Sequence, residues 1–205
     1  MTNVSVVIPY FQKRAGILHR CLTSVFQQQL PSDVRLNVIV VDDGSPIPAR
    51  TEATAFNVAD PFDMTIVEQP NAGVAAARNT GLSHVPKTAT YIAFLDSDDM
   101  WEPTHLLKAI LALNRGYDFY FCDSERVGQP YTSFSEKKFS DTFLSKHARD
   151  IGGGIYELDC PRFFEQSLRS RVFLTPTVVY RRSVAPDLGC RCSQTETDRH
   201  RETSL

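Results

Sequence analysis

Residues 90–101 read TYIAFLDSDDMW, an apolar run followed at once by three carboxylates, Asp96, Asp98 and Asp99, within four positions. An unbroken apolar series stopped by turn formers reads as a strand that a parallel sheet buries on both faces. The carboxylates at its end raise a second question. Like charges this close repel and raise one another's pKa, so the cluster is costly unless a cation or a dense set of donors sits among them. The stretch sets two expectations together: a parallel strand, and a positive partner at its carboxyl end.

The same punctuation recurs upstream. VSVVIPYF, from Val4 to Phe11, is an apolar run ended by Pro9, and the strand from Asn37 to Val41 breaks at the turn formers Asp42-Asp43-Gly44-Ser45-Pro46. Met64 to Glu68 is a third short strand. Between them Ile17, Leu18, Cys21, Leu22, Val25 and Phe26 recur at helical spacing up to Gln29, and a weaker helical stretch covers Arg50 to Val58. An alanine-rich, helix-favouring segment runs from Val74 to about His84. After the acidic cluster, Met100 to Arg115 reads as a helix started near Glu102-Pro103 and ended by Gly116, and Tyr117 to Cys122 as a fifth strand. The alternation predicts an α/β fold, an open sheet with right-handed crossovers.

Further on the pattern loosens. From Gln129 to Gly154 it predicts a connection or flap; residues 160–170 read as helix and residues 175–183 as strand, while residues 189–205 show no periodicity.

The chain has 205 residues, 42% hydrophobic and 22% charged, which suits one globular domain with a real core. A net charge of -2, with no basic stripe, argues against a nucleic-acid surface. The start lacks a basic region followed by a long apolar one, and no window reaches the roughly 18 apolar residues of a membrane span. The expectation is a soluble, cytoplasmic chain. Cys21, Cys122, Cys160, Cys190 and Cys192 form an odd, scattered set without a C-x-x-C pair, as expected of reduced thiols. A zinc site from Cys190, Cys192 and His200 would rest on a C-x-C and one distant His, a weak pattern beside incidental thiols. His19, His84, His105 and His147 form no cluster either.

Three strands therefore end in polar or turn-forming residues: at Pro9-Tyr10, at Asp42 to Ser45, and at Asp96 to Asp99. Open α/β sheets bind ligands outside the carboxyl ends of their strands. The need to turn explains any one of these endings; three on one edge point to a shared crevice. No G-x-G-x-x-G follows the first strand and no G-x-x-x-x-G-K-[ST] occurs, which disfavours a Rossmann dehydrogenase or a P-loop NTPase. A phosphate can instead be held by Mg²⁺ or Mn²⁺ bound through one or two carboxylates.

Taken in order, SVVIPYF, VIVVDDGS, NAGVAAARNTGL and FLDSDD resemble the successive motifs of family 2 glycosyltransferases with the GT-A fold. The likeness covers Val4 to Cys122. YFQKRAGIL, HARDIGGGIYELD and TPTVVYRRS are further similar to bacterial succinoglycan-type exopolysaccharide glucosyltransferases. The resemblance implies a Rossmann-like, open, mixed but mainly parallel sheet flanked by helices. It implies a nucleotide-sugar-binding half over residues 1–125 and an acceptor-side half over residues 126–205, with the carboxyl-terminal part incomplete.

The activity it implies is metal-dependent, inverting transfer of a sugar, glucose by the closer likeness, from a UDP-sugar to a saccharide acceptor. The setting would be exopolysaccharide or cell-surface polysaccharide synthesis, with a lipid-linked acceptor and peripheral association at the inner face of the membrane. By the same resemblance Pro9 and Tyr10 lie beside the base, Asp42 or Asp43 hydrogen-bonds the uracil, and Arg78 reaches the ribose or diphosphate. Asp96 faces the ribose and metal, and Asp98 is the direct metal ligand. Plainer readings stand beside these. Arg78 can be a solvated helix arginine, Asp99 a cap at a helix start, and Trp101 either a platform for a sugar or a core plug.

In the family the base is the Asp of an E-D pair well after the acidic cluster. The matching place here is Arg201-Glu202-Thr203, with Thr at the Asp position, and Thr is no base at neutral pH. Glu202 is the remaining candidate, against the reading of a surface carboxylate. The expectation is a chain that keeps its donor site while transfer is reduced or absent, a non-catalytic nucleotide-sugar-binding remnant being the alternative to an active transferase. A nucleotidyltransferase, the more distant class, calls for a glycine- and basic-rich loop after the first strand, and YFQKRAG fits that poorly.

Overall fold

The computed structural model describes residues 1–56, 58–136, 144, 146–158 and 174–185. Strand β1 (Thr2–Tyr10) is buried from Val4 onward and leads to helix α1 (Ile17–Phe26). Strand β2 (Val34–Asp42), the short helix α2 (Ala49–Ala53) and strand β3 (Phe62–Glu68) follow. Then come α3 (Val74–Ser83), β4 (Tyr91–Phe94), α4 (His105–Asn114) and β5 (Phe119–Tyr120). The later elements are α5 (Ser133–Glu136), a hairpin of β6 (Ala148–Gly152) and β7 (Ile155–Leu158), and β8 (Val179–Arg181).

The sheet order is β3-β2-β1-β4-β8-β5. β1 pairs parallel with β2 and β4, and β2 with β3, whereas β8 runs antiparallel to both β4 and β5. The sheet is thus mixed and mainly parallel, as expected. Strand side chains alternate between its faces. Val4, Val6, Ile8 and Tyr10 join Leu18 and Leu22 of α1 and Leu106 and Ile110 of α4 in one core. Val7 joins Ile39, Val41 and Phe94 against Ala77 of α3 in the other. α3 lies very close to the sheet at Gly81, where a Cβ would come within 2.4 Å of Val7 Cγ1.

Several boundaries differ from the sequence reading. α4 begins at His105 instead of Met100, because Trp101 is drawn into the core ahead of it: its N–H donates to Ser24 Oγ (3.1 Å) and its indole Nε1 to the Pro176 carbonyl (2.7 Å). Helix α2 covers five residues and β5 two, both shorter than expected. The stretch expected as a connection or flap contains α5 and the β6–β7 hairpin. Arg115 Nη1, just past α4, donates to the Ile151 carbonyl (3.0 Å). Since α4 runs away from the tip of β4, this contact fixes the hairpin toward the far end of the sheet instead of over the strand tips. Residues 175–183 form a 3₁₀ turn (Thr175–Thr177) and then β8. The helix expected over 160–170 and the tail over 189–205 lie outside the described residues. Among the described residues no helix is long and apolar enough to cross a membrane.

Candidate functional site

The strand order reverses between β1 and β4, the place where open α/β sheets leave a crevice outside their strand ends. A cleft of about 260 Å³ sits there. Pro9, Tyr10, Phe11 and Gln12 line it from the tip of β1, Asp43 from β2, Asp96, Ser97 and Asp98 from β4, and Val74 and Ala77 from α3. The three polar strand ends do share one crevice.

At the tip of β2 both carboxylates are enclosed by donors. Asp42 Oδ1 accepts from the Ser45 amide (2.8 Å) and Oδ2 from the Ala49 amide (2.7 Å) at the start of α2. Asp43 Oδ1 accepts from Gln69 Nε2 (2.6 Å) and the Ala72 amide (2.8 Å), and Oδ2 from the Gly73 amide (2.8 Å). Gly73 holds φ +87°, a conformation glycine adopts without strain, and so turns its amide toward Asp43 while opening α3. Of the two, only Asp43 lines the cleft; Asp42 braces the turn and α2. Glu52 does similar work for α1, accepting from the Gly16 and Leu18 amides.

At the tip of β4 the positive partner asked for by the sequence is Arg78. Its Nη2 lies 2.5 Å from Asp96 Oδ1, and its side chain is only 14% exposed, so it is not a solvated helix arginine. Asp98 is exposed to the cleft and makes no hydrogen bond or ion pair with the described residues. Asp99 closes the turn through its amide, which donates to the Asp96 carbonyl (3.0 Å), and it does not cap α4. Loss of water, then the charges of Asp98 and Asp96, push its carboxyl up to about 6. Below them the Cys21 thiol donates weakly to the Asp96 carbonyl (3.7 Å); burial and the same three carboxylates push its pKa up.

Among the described residues no three acidic, histidine or cysteine side chains converge into a cage for a metal ion. The donor set is one unengaged carboxylate, Asp98, with Asp99 beside it and Asp96 held by Arg78. Mg²⁺ and Mn²⁺ are commonly bound in that mode, keeping most of their coordination for water and phosphate oxygens. The residues therefore fit a hard divalent ion shared with a substrate.

The tip of β1 departs from expectation. Tyr10 is 1% exposed, its ring packed in the α1 and α4 core, and burial with the Glu52 and Asp42 charges pushes its hydroxyl up to about 12. A ring so enclosed offers no face to a ligand. The next residue, Phe11, is 42% exposed and lines the cleft. Trp101 is a core plug, stacked on His105 with ring centroids 4.6 Å apart. Burial pushes His105 down to about 4. Cys21 and Cys122 are free thiols; Glu202, Cys160, Cys190, Cys192 and His200 lie outside the described residues. The sequence reading missed Phe11, Gln12, Ser97, Gln69 and Glu52. Strand alternation carried the signal for Phe11, since Tyr10 shares the inward phase of Val6 and Ile8; the polar four are recognisable only through partners distant in sequence.

Residues 5–173 match the sequence model described as glycosyl transferase family 2. The chain is 46% identical over 115 residues to the succinoglycan biosynthesis protein ExoW of Rhizobium meliloti, a match covering 56% of this chain and 35% of ExoW. It is 35% identical over 123 residues to the minor teichoic acid biosynthesis protein GgaA of Bacillus subtilis, covering 60% of this chain and 26% of GgaA. These matches thus span about a third or less of the relatives' length. In structure, S. aureus TarS 1-349 superposes with a TM-score of 0.64 at 19% identity, over 91% of this chain and 49% of that one. The mannosyltransferase PcManGT of Pyrobaculum calidifontis, solved with GDP-Man and Mn²⁺, gives 0.60 at 21% identity, over 91% and 46%. At such identities the likeness speaks for the fold, the GT-A arrangement expected from the sequence.

Proposed function

Because the chain belongs to glycosyl transferase family 2, we propose that its cleft holds the UDP portion of a sugar nucleotide and presents the sugar for metal-dependent, inverting transfer to a saccharide acceptor. The observation that carries this reading is the meeting, in one crevice at the switch point of the sheet, of the Phe11 ring, the Asp43 carboxylate and the unengaged Asp98. The succinoglycan and teichoic acid relatives support a setting in exopolysaccharide or cell-surface polysaccharide synthesis; glucose as the sugar is part of the proposal and rests on the sequence resemblance alone. A lipid-linked acceptor at the cytoplasmic face of the membrane belongs to the same proposal. So does the division into a donor half over residues 1–125 and an acceptor half over residues 126–205.

The residues divide the work by chemistry. Phe11 offers an aromatic face to the base. Asp43 already accepts three hydrogen bonds, and a carboxylate has room for one more, from the imide N–H of uracil. Pro9 and the enclosed Tyr10 shape the wall behind them. Arg78 and Asp96, as a pair, face the ribose and diphosphate, and Asp98 is the ligand for a divalent ion. That ion, when bound, supplies positive charge to the diphosphate as it leaves. The acceptor hydroxyl must lose its proton as it attacks the anomeric carbon, and Glu202 is the residue proposed for that step.

Calorimetric titration of UDP with and without Mn²⁺ tests the reading, followed by product analysis with UDP-glucose and oligosaccharide acceptors. Mn²⁺ is expected to tighten UDP binding by about tenfold or more, and Asp98→Ala to abolish that gain. Metal-dependent UDP binding that survives Asp98→Ala unchanged would overturn the site. Binding without any product would favour the non-catalytic alternative.

A further inference from the structure

We infer that Gln12 is a positioning residue: it ties the tip of β1 to the acidic loop after β4, so that the segment presenting Phe11 also holds the loop that carries Asp98. The functional half of this inference rests on the donor-cleft reading above; the structural half rests on geometry alone.

Gln12 is first fixed at its main chain. Its N–H donates to Ser45 Oγ (2.7 Å), the Ser45 hydroxyl donates back to its carbonyl (2.9 Å), and the Ile47 amide donates to the same carbonyl (3.2 Å). Ser45 is in turn held by Asp42 Oδ1, so the backbone of Gln12 is anchored on the tip of β2. From there its side chain reaches β4, where Nε2 donates to Ser97 Oγ (3.2 Å). Ser97 is 4% exposed and stands between Asp96 and Asp98. Among the described residues this is the hydrogen bond that a side chain makes to Ser97.

The chemistry of the amide suits the position. Three crowded carboxylates repel, and the loop can relieve that repulsion by splaying unless something holds its middle. Arg78 and the Cys21 thiol hold Asp96 at one end of the loop. A lysine at position 12 would compete with a divalent ion for Asp98, and a glutamate would add to the repulsion. A neutral donor restrains the loop without altering the charge that a cation meets. By linkage, a ligand that orders the β1 tip then favours the Asp98 conformation that binds the ion, and the reverse.

The first test uses the ligand-free chain. Amide hydrogen exchange over residues 96–99 should quicken by about three- to tenfold in Gln12→Met, the range for loss of one neutral hydrogen bond. Ser97→Ala should do the same, and the double variant should be no faster than either single one. Unchanged exchange, or full additivity, overturns the inference. The second test titrates Mn²⁺ at saturating UDP, where occupancy no longer depends on UDP affinity, and there the same variants should bind the ion about three- to tenfold more weakly. Faster exchange with unaltered Mn²⁺ affinity overturns the positioning role. If the unmutated chain binds neither UDP nor Mn²⁺, the donor-cleft reading fails separately, and the exchange data alone decide whether Gln12 couples the two tips.

Discussion

The tips of β2 and β4 carry the same residue type and treat it in opposite ways. At β2, Asp42 and Asp43 are 5% and 2% exposed, and all four of their oxygens accept hydrogen bonds, mostly from main-chain amides of the turns folded around them. At β4, Asp98 has no partner among the described residues, Asp96 depends on Arg78, and Asp99 is pushed up to about 6. A buried carboxylate wrapped in amides is compensated and becomes scaffold. A crowded one without donors keeps its affinity for a cation. The same letter in the sequence therefore stands for carboxylates compensated by the turns around them at one strand tip and for an unengaged carboxylate, the proposed cation ligand, at the next.

The largest effect that would sharpen this contrast is expected from Asp43→Ala. It leaves the Ala72 and Gly73 amides and the Gln69 side chain without their acceptor, and a buried group left unsatisfied costs about 1–3 kcal/mol. A loss of about 3 kcal/mol in urea unfolding follows, as a drop in midpoint with an unchanged slope. A loss below about 1 kcal/mol would place Asp43 with Asp98 and dissolve the distinction.

A smaller effect is expected in the pH dependence of the metal-free chain. Asp99 titrates near 6 in the folded chain against an ordinary 3.8. Between those values the folded state holds a proton that the unfolded state has released, so this group stabilises the fold at low pH and loses that contribution as pH rises through about 6. His105 works with the opposite sign: lowered from 6.5 to about 4, its contribution is lost as pH falls through that window. Comparing Asp99→Asn with the unmutated chain removes the His105 share. The stability difference should shift in favour of the variant as pH rises from about 4 to about 6, read by thermal unfolding in chelator. A flat difference would mean that the β4 carboxylates are as well compensated as those of β2.

Much of the architecture was legible because β1, β4 and the second half of β2 are apolar runs closed by turn formers, and both faces of β1 are buried as that pattern requires. The crevice was legible for the same reason, since strand tips announce themselves as Asp, Gly and Pro. Division of labour within it was not. Whether Asp42 or Asp43 faces the cleft depends on where the Ala49 and Gly73 amides come to lie, seven and thirty residues downstream. The start of α4 was misplaced because Trp101 bonds to Ser24 and Pro176, contacts that no local periodicity encodes. Arg78 differs again: its helix was evident, yet its register against Asp96 depends on how closely Gly81 lets α3 approach β1.

The smallest expected effect is also the most discriminating. Asp98→Asn removes one of three like charges from a side chain that makes no bond to the described residues, while keeping its shape. Nothing is left unsatisfied, so stability without metal should change by less than about 0.5 kcal/mol, and in the stabilising direction because repulsion is relieved. The charge of Asp98 is, after loss of water, the main cause that holds the Asp99 carboxyl up. Its removal should therefore bring Asp99 down toward the ordinary carboxylate range, as followed by carbon-13 NMR titration of the side-chain carboxyls. A clear loss of stability would identify Asp98 as a hidden structural carboxylate, and an unmoved Asp99 would show that the two charges do not feel each other. Either result would erase the difference between the strand tips on which the proposed cation site depends.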